Sequence, residues 1–386
     1  MVSLAPKNAV VPLSLPLSFV GLAALYLLLA VGLVALEPQA LGAYRHPVLL
    51  AAAHLFFLGF GVGVLMGVMH QLVPVVLEVP LARASLGYLA LFFWGLGTPL
   101  QAVGFLQQNP SGIALGGGLA WVGLGVFTLG MVLAFRQAPR WNPVATALSW
   151  TLFYLMLTPL LGLLQALSLR YGFYDPARLG WHAAAGLVGV FVLSILGVGH
   201  LLVGMFSLSH GGSVRWLGLQ LWAFNLGLLA LVFHRGLGAA LLWAGLALAM
   251  FDTWNILAHR NKKALDIGVQ HYLAGLGFLL LCAGAFGLGH SLVAGLWFAL
   301  GFVGLVVTGM LYKITPFLIW THRYAPLVGK QRVPLLKDML PDSAARLAGL
   351  LWGVGALLTP FAPQAIALLV LGSLMFVHSL LEVIRR

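Results

Sequence analysis

The chain has 386 residues, 61% of them hydrophobic and 7% charged, with 20 Lys and Arg against 8 Asp and Glu and a net charge of +12. A soluble domain carries roughly 25% charged residues, so a water-soluble globular class is excluded and an all-α polytopic membrane protein is expected. The basic residues lie in short connections between apolar runs, where they set orientation rather than bind nucleic acid, and the single Cys282 excludes internal disulfides and cysteine-rich metal or iron-sulfur sites.

Apolar runs bounded by Pro, Gly, Asn or charge predict twelve transmembrane spans, about 12–35, 47–76, 84–106, 112–135, 143–168, 181–207, 214–234, 237–258, 266–288, 291–317, 343–361 and 363–384. The first is read as a retained span, because no small-residue cleavage site follows it. Loops carrying Arg83; Arg136 and Arg140; Arg215; Arg260, Lys262 and Lys263; and Arg323, Lys330, Arg332 and Lys337 all follow even-numbered spans. Lys7, Arg385 and Arg386 fall on that same face, whereas Arg45, Arg170, Arg178 and Arg235 fall on the other. The positive-inside rule then places both termini in the cytoplasm, in a membrane of the bacterial inner type, with lipid as the first partner.

Span 2 ends Gly67-Val-Met-His70-Gln-Leu-Val-Pro74, span 6 ends Gly197-Val-Gly-His200-Leu-Leu-Val-Gly204, and span 10 ends Gly309-Met-Leu-Tyr312-Lys-Ile-Thr-Pro316. The common interval of four spans predicts three pseudo-repeats of four helices, about 12–135, 143–258 and 266–384, in one transmembrane domain covering 1–386.

Span 2, HLFFLGFGVGVLMGVMHQLVP from His54 to Pro74, places two imidazoles in one apolar run. An ionisable side chain inside a membrane is a site hypothesis by default. His54 and His70 are 16 residues apart, roughly 24 Å along a helix, so they cannot serve one cofactor. At about 100° per residue, His70 falls with the stripe Gly59, Gly63, Gly67, which reads as a packing face. His54 points elsewhere and reads as a haem ligand or a structural histidine. His182, at the head of span 6, is followed on its own face by Gly186 and Gly189, which leave space beside the ring. His290, opening span 10, is a third ligand candidate. Asp252 and Lys313 are intramembrane charges that either pair with each other or line a proton path with His200 and Tyr312; Lys313 could also snorkel to the interface. Asn225, Gln101 and Gln165 add polar atoms within spans.

Twelve spans, cytoplasmic termini, a threefold repeat of four helices and a histidine near the outer start of span 2 together resemble the catalytic subunit of haem-copper oxidases and nitric oxide reductases. The resemblance implies that His54 ligates a low-spin haem, and that His182 occupies the place of the first copper ligand, without the proline and acidic residue that usually accompany it. Span 7, VRWLGLQLWAFNLGLLALVFH, has no adjacent histidine pair, and span 10 lacks the paired histidines that bind both haems, so copper has no histidine triad to hold it. The pattern is closer to shortened oxidase subunit I-like and NnrS-like relatives, through segments 180–210 and 310–324; where such relatives often begin the first of these with His-x-His, Ala184 stands here.

The expectation is therefore a haem protein, of b type, with His54, His182 and His290 as cofactor-binding residues and His54 and His182 as metal ligands. It would serve electron transfer or the binding of nitric oxide or oxygen, with a redox partner or a small gas as partner. Arg45 and Arg178 are candidates to pair with haem propionates. Two rivals remain: a twelve-span transporter or metal- or haem-handling permease, and a cofactor-free assembly protein.

Overall fold

A computed structural model describes residues 11–81 and 83–386; Lys7 lies outside them. Twelve long helices follow one another: α1 (Ser14–Leu36), α2 (Pro47–Leu77), α3 (Ala84–Leu106), α4 (Pro110–Phe135), α5 (Pro143–Tyr171), α6 (Pro176–Ser207), α7 (Val214–Phe233), α8 (Arg235–Ala258), α9 (Ile267–Gly287), α10 (Ser291–Leu327), α11 (Asp342–Leu358) and α12 (Pro363–Arg385). Eleven are long and apolar enough to cross a bilayer. The other, α11, occupies the segment expected at 343–361 but has 17 residues, about 25 Å of helix. The chain is a multi-pass helical membrane protein, and it presents large apolar side chains outward, among them Phe92, Trp222, Phe233 and Trp254.

Local chemistry fixes the helix boundaries. Asn109, Asn142 and Asp175 each accept a backbone N–H bond and precede a proline at the first helical position, Pro110, Pro143 and Pro176. The Asp175-Pro176 start explains why α6 begins five residues before the expected 181. At the far end of α5, Gly172 closes the helix with φ +79°, a conformation glycine adopts without penalty. Helix α10 runs past the expected 317 because Pro316 is accommodated inside it and the chain continues through π and 3₁₀ turns to Leu327.

The described residues form two compact units. One comprises Val11, Met69–Gly104 and Asn109–Leu265; the other comprises Pro12–Val68, Phe105–Gln108 and Asp266–Arg386. The division crosses the expected repeat boundaries, since α1 and most of α2 group with α9 to α12.

Three helices carry a π-helical stretch: Leu55–Gly61 in α2, Ala185–Val192 in α6 and Trp297–Gly304 in α10. In each, a glycine of the stretch lies against an aromatic ring of the helix before it: Gly59 on Tyr26, Gly189 on Tyr154 and Gly301 on Phe278. Eight residues later a second glycine bears on that neighbour seven residues earlier in its sequence: Gly67 on Phe19, Gly197 on Ala147 and Gly309 on His271. A Cβ at any of these glycines would press into the partner side chain, so the helix pairs α1/α2, α5/α6 and α9/α10 depend on them for their close approach.

In the second unit, Trp352 of α11 is buried and donates from Nε1 to the Leu300 carbonyl at 2.6 Å. The Leu300 carbonyl lies in the π-helical stretch of α10. Trp352→Phe keeps most of the apolar volume but leaves that carbonyl without this donor. A cost of about 1–3 kcal/mol is expected, read as a lower unfolding midpoint in detergent titration.

Candidate functional site

In the first unit, α6, α7 and α8 bring three polar side chains together. His200 Nδ1 lies 2.7 Å from Asp252 Oδ2, and Gln220 Nε2 donates to that same oxygen at 3.3 Å. Asp252 and Gln220 are 3% and 2% exposed, so the carboxylate is held away from solvent. Its other oxygen, Oδ1, and Gln220 Oε1 are buried without a donor. An unsatisfied buried acceptor costs about 1–3 kcal/mol, and this cluster holds two of them.

The turn after α6 covers the cluster. Leu208 takes a left-handed conformation that ends α6, and Ser209 Oγ donates to the Ile256 carbonyl of α8. Gly211 N donates to Ser209 Oγ at 3.0 Å, while Asn255 Nδ2 donates to the Gly211 carbonyl. Gly212 then lies over the imidazole, where a Cβ would stand 3.4 Å from His200 Nε2. Sequence reasoning singled out His200 and Asp252 but missed Gln220, whose signal was a glutamine within the apolar run of α7.

No family model and no curated protein matches this sequence. The assignment of function therefore rests on the residues themselves.

Lys313 does not complete the pair expected with Asp252: its Nζ lies 3.0 Å from Asp266 Oδ2 in the second unit. Asp266, at the start of α9, is close in space because Gly268 lets the Lys313 stem lie against the α9 backbone. Tyr312, next to Lys313, faces His271 and Phe376 with ring centroids 5.9 and 5.4 Å away. The His271 ring itself is wedged against Gly309 and Gly349. His200 is thus grouped with Asp252 in the first unit, and Lys313 with Asp266 in the second. His70 is 2% exposed and its ring meets Phe127 at 5.3 Å, as a packed residue does. The stripe it was grouped with bears on α1 through Gly59 and Gly67.

His54 ends the α-helical turn directly before the π stretch of α2. Its Nδ1 is 2.8 Å from the Leu50 carbonyl, and its ring lies 4.5 Å from Phe105. In the other unit, His182 Nδ1 is 2.8 Å from the Thr158 carbonyl of α5, and Gly162 makes room for the ring. The space expected beside Gly186 and Gly189 is filled by Thr158 and Tyr154. His290 sits at the N-cap position of α10 without a side-chain capping bond and is exposed. Arg45 and Arg178 lie over the rings of Tyr44 and Phe173.

A carbonyl acceptor at Nδ1 puts the ring proton there and the lone pair on Nε2, the arrangement a haem-ligating histidine needs. His54 and His182 both fit that donor requirement. The same bond is made by His271, His259 and His322, so tautomer alone does not select a ligand. Among the described residues no three His, Cys, Asp or Glu side chains are grouped to hold a metal ion.

Proposed function

We propose that this chain is a haem-binding integral membrane protein of the haem-copper oxidase subunit I type, twelve spans in three four-helix repeats, with His54 as the principal iron ligand. The observation that carries the reading is the recurrence of one helix-pair design at α1/α2, α5/α6 and α9/α10: a π stretch, glycines eight residues apart, and contact residues seven apart on the preceding helix. Single-turn π segments are rare and concentrate at functional sites. Their return at every fourth helix supports the repeat interval, and α11, at 17 residues, lies at the short end of the range that spans a bilayer.

In the register set by the paired glycines, His70, His200 and Tyr312 match one another. His54 matches Ala184 and Leu296, whereas His182 matches Ala52 and Ala294. His54 and His182 therefore stand two residues out of step, and each is a ligand candidate within its own unit. His54 is favoured because it abuts the π stretch and its ring lies against an aromatic neighbour. When bound, haem would supply an iron for electron transfer if both axial positions are filled, or for nitric oxide or oxygen binding if one stays open.

Both termini are assigned to the cytoplasm, with Arg83, Arg136, Arg140 and the basic residues of the α8–α9 and α10–α11 connections on that side. His54→Ala is expected to remove or convert the haem absorption of the purified protein, while His290→Ala leaves it intact. A spectrum unchanged in His54→Ala would rule out His54 as ligand. A carrier function, the rival reading, would be favoured by a protein that takes up substrate in vesicles and shows no absorption in the visible range.

A further inference from the structure

We propose that Asp252, Gln220 and His200 form a binding site for one monovalent cation, a hydron or a sodium ion, within the α6–α7–α8 helices and independent of any haem. Asp252 Oδ2 already accepts from Gln220 Nε2 and faces His200 Nδ1. Both contacts therefore fall on one carboxylate oxygen, while Oδ1 is buried with no donor. Gln220 Oε1 is a second buried oxygen in the same condition, on a side chain already bonded to Asp252. Two acceptor oxygens on contacting side chains, one of them anionic, call for a positive charge between or upon them. Oxygen donors of this type select hard cations.

The surroundings supply a gate to such a site. His200 is the member of the cluster nearer to solvent, its side chain 12% exposed against 4% for Asp252. Its Nε2 meets the turn at Gly212, so exchange with the aqueous face passes the Gly211-Gly212 turn. That turn is tied to the end of α8 by Asn255 and Ser209. The other titratable or charged groups at this end include His210, His259 and Arg260, all exposed, and Lys262, whose backbone N donates to the Ser207 carbonyl. An ionisable side chain buried in a membrane helix bundle marks an ion or proton route by default, and Asp252 is such a group, with its Oδ1 and the neighbouring Gln220 Oε1 left without a donor.

The test uses the full-length protein in lipid nanodiscs, prepared in choline chloride. Radioactive sodium is measured by equilibrium binding, and hydron uptake by an indicator dye after a step from alkaline to mildly acidic buffer. The site predicts about one sodium ion bound per chain, or one hydron more taken up by wild type than by Asp252→Asn. Gln220→Leu, which keeps the carboxylate, guards against simple loss of folding by Asp252→Asn. It should weaken sodium binding roughly tenfold or more, or shift the acidity at which the hydron is taken up. If wild type binds no sodium and takes up no more hydrons than Asp252→Asn, or if both variants bind as wild type does, the proposal is wrong. Because neither readout uses haem, a colourless protein that binds the cation would refute the haem reading alone.

Discussion

Gly116→Leu yields no folded protein. The α3/α4 hairpin is built backbone against backbone: Gly116 faces the Gln101 amide and the Leu100 carbonyl carbon, and Gly97 faces Ala120 and the Gly116 carbonyl. One heptad further along in each direction, a Cβ on Gly104 would stand 2.5 Å from Ile113 N, and one on Gly123 would stand 2.5 Å from Trp94 N. Overfilling a site lined by side chains costs about 1–3 kcal/mol because those side chains can shift. Here the obstacle is main chain, so accommodating a side chain means driving two helix axes apart along their length. That is large against a total stability of about 5–15 kcal/mol. Gly118→Leu is the control, since nothing lies within 4 Å of a Cβ there. Fluorescence-detected size exclusion should show Gly116→Leu aggregated or absent and Gly118→Leu as a single peak. A monodisperse Gly116→Leu at wild-type yield would contradict this account of the hairpin.

Asp252→Leu carries the second large effect. It strands His200 Nδ1 and Gln220 Nε2, both of which meet the same carboxylate oxygen, in a region where Asp252 is 3% exposed. Leaving a buried hydrogen-bonding partner unsatisfied costs about 1–3 kcal/mol, whereas replacing both partners by apolar groups can be nearly neutral. The unfolding midpoint in detergent titration should therefore fall steeply for Asp252→Leu and recover in His200→Leu/Asp252→Leu. Equal stability of the single and double variants would show that the pair is not coupled.

Much of the architecture was legible in the sequence because a bilayer leaves few options. Apolar runs long enough to cross it, bounded by Pro, Gly, Asn or charge, predicted most of the helices within a few residues, although α6 starts five residues earlier and α10 ends ten residues later than expected. The glycine register at Gly67, Gly197 and Gly309 was also legible, since close helix approach selects for the absence of a side chain. Helical faces were not. A wheel drawn at 3.6 residues per turn does not carry across the π stretches at Leu55–Gly61 and Ala185–Val192, which lie between His54 and His70 and between His182 and His200. Each π turn takes up additional residues and rotates everything after it, and nothing in an apolar run such as LFFLGFG announces it.

Pairing across the chain was equally hidden. Asp252 and Lys313 look like natural partners as two isolated intramembrane charges, but within its own unit Asp252 meets His200 and Lys313 meets Asp266. Asp266 sits at the edge of an apolar run and Gln220 is one polar residue inside another, and neither position singles them out. Their roles come from which helices neighbour one another, a property of packing that one-dimensional spacing does not encode.

The central claim is that the bundle holds haem. Its most direct test is the visible spectrum of the full-length protein, purified from cells well supplied with haem and recorded oxidised and then dithionite-reduced. The account predicts a Soret band that shifts on reduction, with the sharpened bands of a b-type haem. A colourless protein with no Soret band in either state would contradict it.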